Sequence, residues 1–156
     1  MDKIINPILS IRRSIWKTTT KQLIEKTLEE IKKNYKLDAH IQSFGATNKE
    51  AINFCLNKIH SGITPQTYKA IEPFTKEPGY IAFMQSPNGL VKIIASLPYI
   101  ENVTEKTSLQ LFVKLEPNEI TIDIINAYVG DFFDLLTIWE NGIEQIPSWH
   151  EYAAQA

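Results

Sequence analysis

The chain has 156 residues, 44% of them hydrophobic and 22% charged, with a formal net charge of −2. That length suits one ordinary domain able to bury about two thirds of its unfolded surface, and the small net charge excludes a global electrostatic demand for nucleic acid or an anionic membrane. A lone Cys55 excludes an internal disulfide and favours a reducing compartment. Arg12 and Arg13 interrupt the apolar start too early for a secretory leader. No apolar run reaches the roughly 18 residues of a membrane span. The expectation is a cytoplasmic chain without a membrane span.

After Pro7, Ile8, Ile11 and Ile15 recur at three- and four-residue steps, which predicts a short helix packed on the protein's own body. The other reading of this segment is an exposed amphipathic arm. Thr18, Thr19 and Thr20 offer caps for a second helix running to about Tyr35, with Leu23, Ile24, Thr27, Leu28 and Ile31 as its apolar stripe. Lys32, Lys33 and Lys36 crowd its end, where positive charge complements the helix dipole. Leu37 to Phe44 reads as a short strand ended by Gly45. Thr47-Asn48-Lys49-Glu50 matches a capping box and predicts a helix that buries Ala51, Ile52, Cys55, Leu56 and Ile59 before Gly62. Thr64-Pro65 opens a further short helix with Tyr68 and Ile71, stopping before Pro73.

From Gly79 the period changes to two. GYIAFMQS, LVKIIASL, SLQLFVKL and EITIDIINAY read as four strands in series, with turns at Pro87-Asn88-Gly89 and Pro117-Asn118. Ile120, Ile122 and Ile124 alternate with Glu119, Thr121 and Asp123. The expected fold is a single α+β domain: a four-stranded antiparallel β-meander over about 79–129, packed against N-terminal helices and one C-terminal helix. Asp131 is the expected cap of that last helix, with Phe132, Leu135, Leu136 and Trp139 available for burial and Gly142 at its end. Ile146, Trp149 and Tyr152 make the tail aromatic enough to pack down or to anchor a partner.

The usual catalytic and cofactor signatures are absent: no phosphate loop, GxGxxG, GxSxG, HExxH, DxDxDG or CxxC. No catalytic residue, metal ligand or cofactor is assigned. Cys55 reads as a structural thiol, and His40, His60 and His150 as surface or capping residues. Charge is distributed unevenly. Residues 1–36 hold nine basic groups against four acidic ones, whereas residues 98–156 hold only Lys106 and Lys114 against ten carboxylates.

Two functions follow as expectations. The first is a non-enzymatic protein-binding module that uses an acidic surface to occlude a basic partner. Immunity proteins that inhibit bacterial nuclease toxins are of this size and type, and acidic charge steers such an inhibitor to a basic target. Its contact residues would be Glu101, Glu105, Glu116, Glu119, Asp123, Asp131 and Asp134, with Trp139 and Trp149 as anchors. The second is a metal-free ribonuclease or toxin domain. There His40 or His60 would be the base, Lys69 or Lys92 would offset phosphate charge, and Tyr128 or Thr121 would line the sheet. Acidity around the last strands disfavours nucleic acid, since like charge repels a phosphodiester.

Overall fold

Asn6 caps the first helix by accepting hydrogen bonds from the amides of Ile8 and Leu9 at 3.0 and 3.2 Å, with Pro7 at the first helical position. The computed structural model describes residues 6–46, 49–58, 76–100 and 107–141. Helix α1 (Pro7–Ile15) continues without a break through a π-helical segment (Trp16–Thr20) into α2 (Lys21–Asn34). The three threonines are therefore not caps of a new helix. Thr18 returns its hydroxyl to the Ser14 carbonyl at 2.7 Å, while Trp16 and Thr20 turn fully into the interior. Lys36 ends α2 in a left-handed conformation (φ 52°), and the Leu37 amide reaches back to the Lys32 carbonyl at 3.0 Å.

Strands β1 (Ala39–Ala46) and β2 (Lys49–Leu56) follow. The helix expected over residues 50–60 is thus a strand as far as Leu56. A capping box stabilises a helix start by about 1 kcal/mol. Against it stands pairing on both edges, because β2 is antiparallel to β1 on one side and to β4 (Tyr80–Gln85) on the other. Ile52, Phe54 and Leu56 then alternate into the core, a period-two pattern hidden among the helical spacings.

Strand β4 pairs with β5 (Val91–Ser96), and β5 with β7 (Ser108–Leu115). The result is a five-stranded antiparallel sheet in the order β1-β2-β4-β5-β7, a meander longer than expected at its N-terminal side. Short strands β3 (Lys76–Glu77) and β6 (Tyr99–Ile100) form a separate two-stranded ribbon.

The expected fourth strand is a helix. A 3-10 turn (Pro117–Glu119) leads into α3 (Ile122–Asn141), whose first turn is capped by the Thr121 hydroxyl accepting from the Ile124 amide at 3.2 Å. Three alternating isoleucines span too little to outweigh the 20-residue helical register. In that register Ile125, Val129, Phe132 and Leu136 fall on one buried stripe, while Ile122 is left 51% exposed. Asp131 consequently lies in mid-helix and caps nothing. One face of the sheet, bearing Ile52, Phe54, Ile81, Phe83 and Ile93, packs with Ile24 and Leu28 of α2 and with the buried stripe of α3 in a single core. The architecture is α+β, an antiparallel meander covered by the N-terminal helix and one C-terminal helix. Among the described residues no helix is long and apolar enough to cross a membrane.

Candidate functional site

Two of the expected contact carboxylates, Glu116 and Glu119, have bonding partners within the chain. Glu116, just after β7, accepts three hydrogen bonds from the Arg12 guanidinium, Nη2 to Oε1 at 2.6 Å and a forked Nε to Oε2 at 3.0 Å and Oε1 at 3.2 Å. That bonding keeps the Glu116 carboxyl below its ordinary pKa and the Arg12 guanidinium above its own. The same Arg12 donates to the Asn88 carbonyl, and Arg13 to the Pro87 carbonyl, both at 3.0 Å. Helix α1 is thereby tied to the β4–β5 turn and to the junction before α3. Glu119 accepts from the Glu116 amide at 2.9 Å and completes a reciprocal cap with it.

The remaining described carboxylates of that set lie on α3. Asp123, Asp131 and Asp134 are exposed, and none makes an ion pair with a described residue. Asp123 and Asp134 sit eleven residues apart on one helical strip with Ala127 and Gly130 between them, about 16 Å along the axis. Asp131 lies beside that strip. Partial burial, and then the neighbouring Asp134 charge, push its carboxyl above the ordinary aspartate value.

Beside this acidic strip runs a groove of about 630 Å³ between α2 and α3. Ile31 and Leu37 line it from one side, Val129 and Phe133 from the other. Tyr35 and Ile122, which are 73% and 51% exposed, also line it. Glu30, Asn34 and Asn126 supply its polar lining. Among the described residues Gly130 leaves one wall bare, since a Cβ built there meets none of their atoms within 4 Å. The volume is typical of a ligand or side-chain pocket, and its lining is mainly apolar with a few polar groups.

The other expected anchors stand elsewhere. Trp139 is 2% exposed and belongs to the interior, which removes it as a surface anchor. Glu101, Glu105 and Trp149 lie outside the described residues, as do His60, Lys69, His150 and the helix expected after Thr64-Pro65. His40 lies on β1, hydrogen-bonded through Nδ1 to Asn57, which in turn donates to Asp38 at 2.8 Å. Lys92 shares the same sheet face on β5, three strands away, about 14 Å by strand spacing alone. His40 and Lys92 therefore cannot grip one phosphodiester together. Tyr128 and Thr121 belong to α3 and its cap instead of the sheet. Cys55 is half-buried on β2 in place of a helical stripe, and burial pushes its thiol up, away from nucleophilic thiolate.

Sequence reading missed the groove, because its walls come from two helices about a hundred residues apart. The one local signal was Gly130, a glycine inside an apolar helical period. No protein-family model matches the chain, and neither a curated protein nor a solved structure matches it.

Proposed function

We propose that the chain is a non-enzymatic protein-binding module that occludes a basic partner, in the manner of an inhibitor or immunity-type protein directed at a nuclease toxin. The acidic face of α3 is its contact surface. The supporting observation is the exposed set Asp123, Asp131 and Asp134, none ion-paired with a described residue, with one carboxyl pushed up in pKa by burial and its neighbour's charge. Carboxylates without an ion-pair partner among the described residues repel one another on the helix and attract a cationic surface. A cationic partner favours the ionised form of Asp131, so binding weakens as pH falls through the carboxylate range.

The test starts by isolating the partner from the native host and measuring its association rate across salt. The D123N/D131K/D134K variant lowers that rate by about tenfold or more and flattens its salt dependence. An unchanged rate and slope end the proposal. Expression of the chain alone in a bacterium separates it from the ribonuclease reading. Harmless accumulation fits the binder, whereas growth arrest with RNA cleavage, abolished by His40→Ala or His60→Ala, replaces it with the enzyme.

A further inference from the structure

We infer that the α2–α3 groove receives an amphipathic basic helix from the partner, laid along α3 with its apolar stripe in the groove and its lysines or arginines over the acidic lip. This deepens the proposed function and rests on its reading of the α3 carboxylates.

The walls decide the form of the occupant. Among the described residues the walls are α3 and the C-terminal part of α2 with Tyr35 and Leu37 just after it, and no strand edge lines the groove. Helix walls offer a guest no free ladder of amides and carbonyls, so an extended peptide would bury its backbone polar groups without partners. A guest helix satisfies its own backbone and presents only side chains. The lining residues run from Ile122 to Phe133 along α3, about 16 Å or three helical turns. Apolar guest residues at i, i+3, i+4 and i+7 therefore meet Ile31, Leu37, Val129 and Phe133. Bare Gly130 lets a guest side chain approach the α3 backbone closely.

The charges decide its identity. Asp123 and Asp134 flank Gly130 on the α3 side, and Glu30 lines the groove from α2. None of the three forms an ion pair with a described residue. Residues 142–156 of the chain itself contain Glu144 and Glu151 and no lysine or arginine, so this aromatic tail is the wrong charge for the lip. A second copy offering its own α3 would bring carboxylates to carboxylates. A cationic helix matches both the apolar floor and the acidic lip.

The test uses the full chain and a fluorescein-labelled synthetic 18-residue helix with leucines at i, i+3, i+4, i+7 and i+11 and lysines and alanines elsewhere. Two control peptides are a scramble of the same composition, lacking the stripe, and a version with glutamate for lysine. Anisotropy is expected to show the striped lysine peptide binding at least about tenfold tighter than either control. The Gly130 amide resonance, one of six glycines, shifts on binding. Gly130→Leu fills the groove without a backbone clash and weakens the striped peptide about tenfold while keeping or raising the melting temperature.

Equal binding of the striped and scrambled peptides, or indifference of the striped peptide to Gly130→Leu, overturns the groove assignment. If both lysine peptides then lose binding to D123N/D131K/D134K, the acidic-face function survives that failure. If Gly130→Leu abolishes binding while the charge variant and the glutamate peptide bind as well as their counterparts, the basic character of the guest is refuted and the acidic-face function falls with it. No binding of any peptide, with the Gly130 amide unmoved, also overturns the assignment.

Discussion

Changing Gly89 to alanine and changing Gly130 to alanine add the same methyl group to the chain, and the structure expects opposite outcomes. Gly89 sits in the β4–β5 turn at φ 85°, where an L-residue pays roughly 1–2 kcal/mol. Its Cβ would stand 2.7 Å from Arg12 Cβ and 3.1 Å from Leu9 Cδ1, so α1 must shift off the turn. Overpacking of that kind costs about 1–3 kcal/mol. Together Gly89→Ala destabilises by roughly 2–5 kcal/mol. Gly130 lies inside α3 with no described atom within 4 Å of an added Cβ, and alanine there gains about 0.8–1 kcal/mol of helix propensity. Urea unfolding measures both. For a slope near 2 kcal/mol/M, the two midpoints separate by about 1.4–3 M. Hydrogen exchange should also speed up at the α1 amides in Gly89→Ala, because Arg12 and Arg13 both donate to the turn carbonyls. A loss below about 0.5 kcal/mol at Gly89, or a destabilised Gly130→Ala, refutes the close packing of α1 on the turn or the openness of the groove.

Thr20→Val keeps the shape but removes the buried bond from the hydroxyl to the Pro117 carbonyl at 2.9 Å; urea midpoints should show a loss of about 1 kcal/mol. Lys36→Gly relieves the left-handed residue that ends α2, and the same assay should register a gain of up to about 1 kcal/mol. Glu116→Gln breaks the Arg12 pair. Because the folded carboxyl is held low, its contribution is present above the unfolded pKa and lost as pH falls through the folded one. The variant therefore melts lower at neutral pH, and the gap closes on acidification. Asp131→Asn has the reverse sign. The folded pKa is raised, so the favourable contribution of the protonated form exists below the unfolded pKa and disappears as pH rises through the folded value. The variant melts slightly higher at pH 7 and equals wild type in acid, with a gap below about 1 kcal/mol for so solvated a group.

Legibility followed the range of the forces. The α2 stripe of Ile24, Thr27, Leu28 and Ile31 was readable because helical periodicity is local and those residues do face the core. Strands β4 and β5 were readable from alternation between strong turn signals, and Gly89 does take the positive φ such a turn wants. Residues 49–56 misled because a capping box and a helical spacing coexist with the alternation of Ile52, Phe54 and Leu56. Residues 119–128 misled in the opposite direction, through three alternating isoleucines. Of the acidic set, the exposed trio on α3 was legible as charge. That Glu116 serves Arg12 across 104 positions of sequence was not.

Composition and local pattern alone determined the α+β class, the antiparallel meander, the N-terminal helix and a C-terminal helix burying Phe132, Leu135, Leu136 and Trp139. Each of these rests on periodicity within a few turns of chain. Tertiary structure decided which of two admissible periods Lys49–Leu56 and Ile120–Tyr128 adopt. Pairing of β2 on both edges outweighs a single cap, and a shared core with α2 selects the helical face of α3. Tertiary structure also decided which described carboxylates are paired within the chain, because only the packing of α1 on the β4–β5 turn brings Arg12 to Glu116. The groove beside Asp123 and Asp134 belongs to neither helix alone. It exists because α2 and α3 meet on one face of the sheet and no described residue covers Gly130.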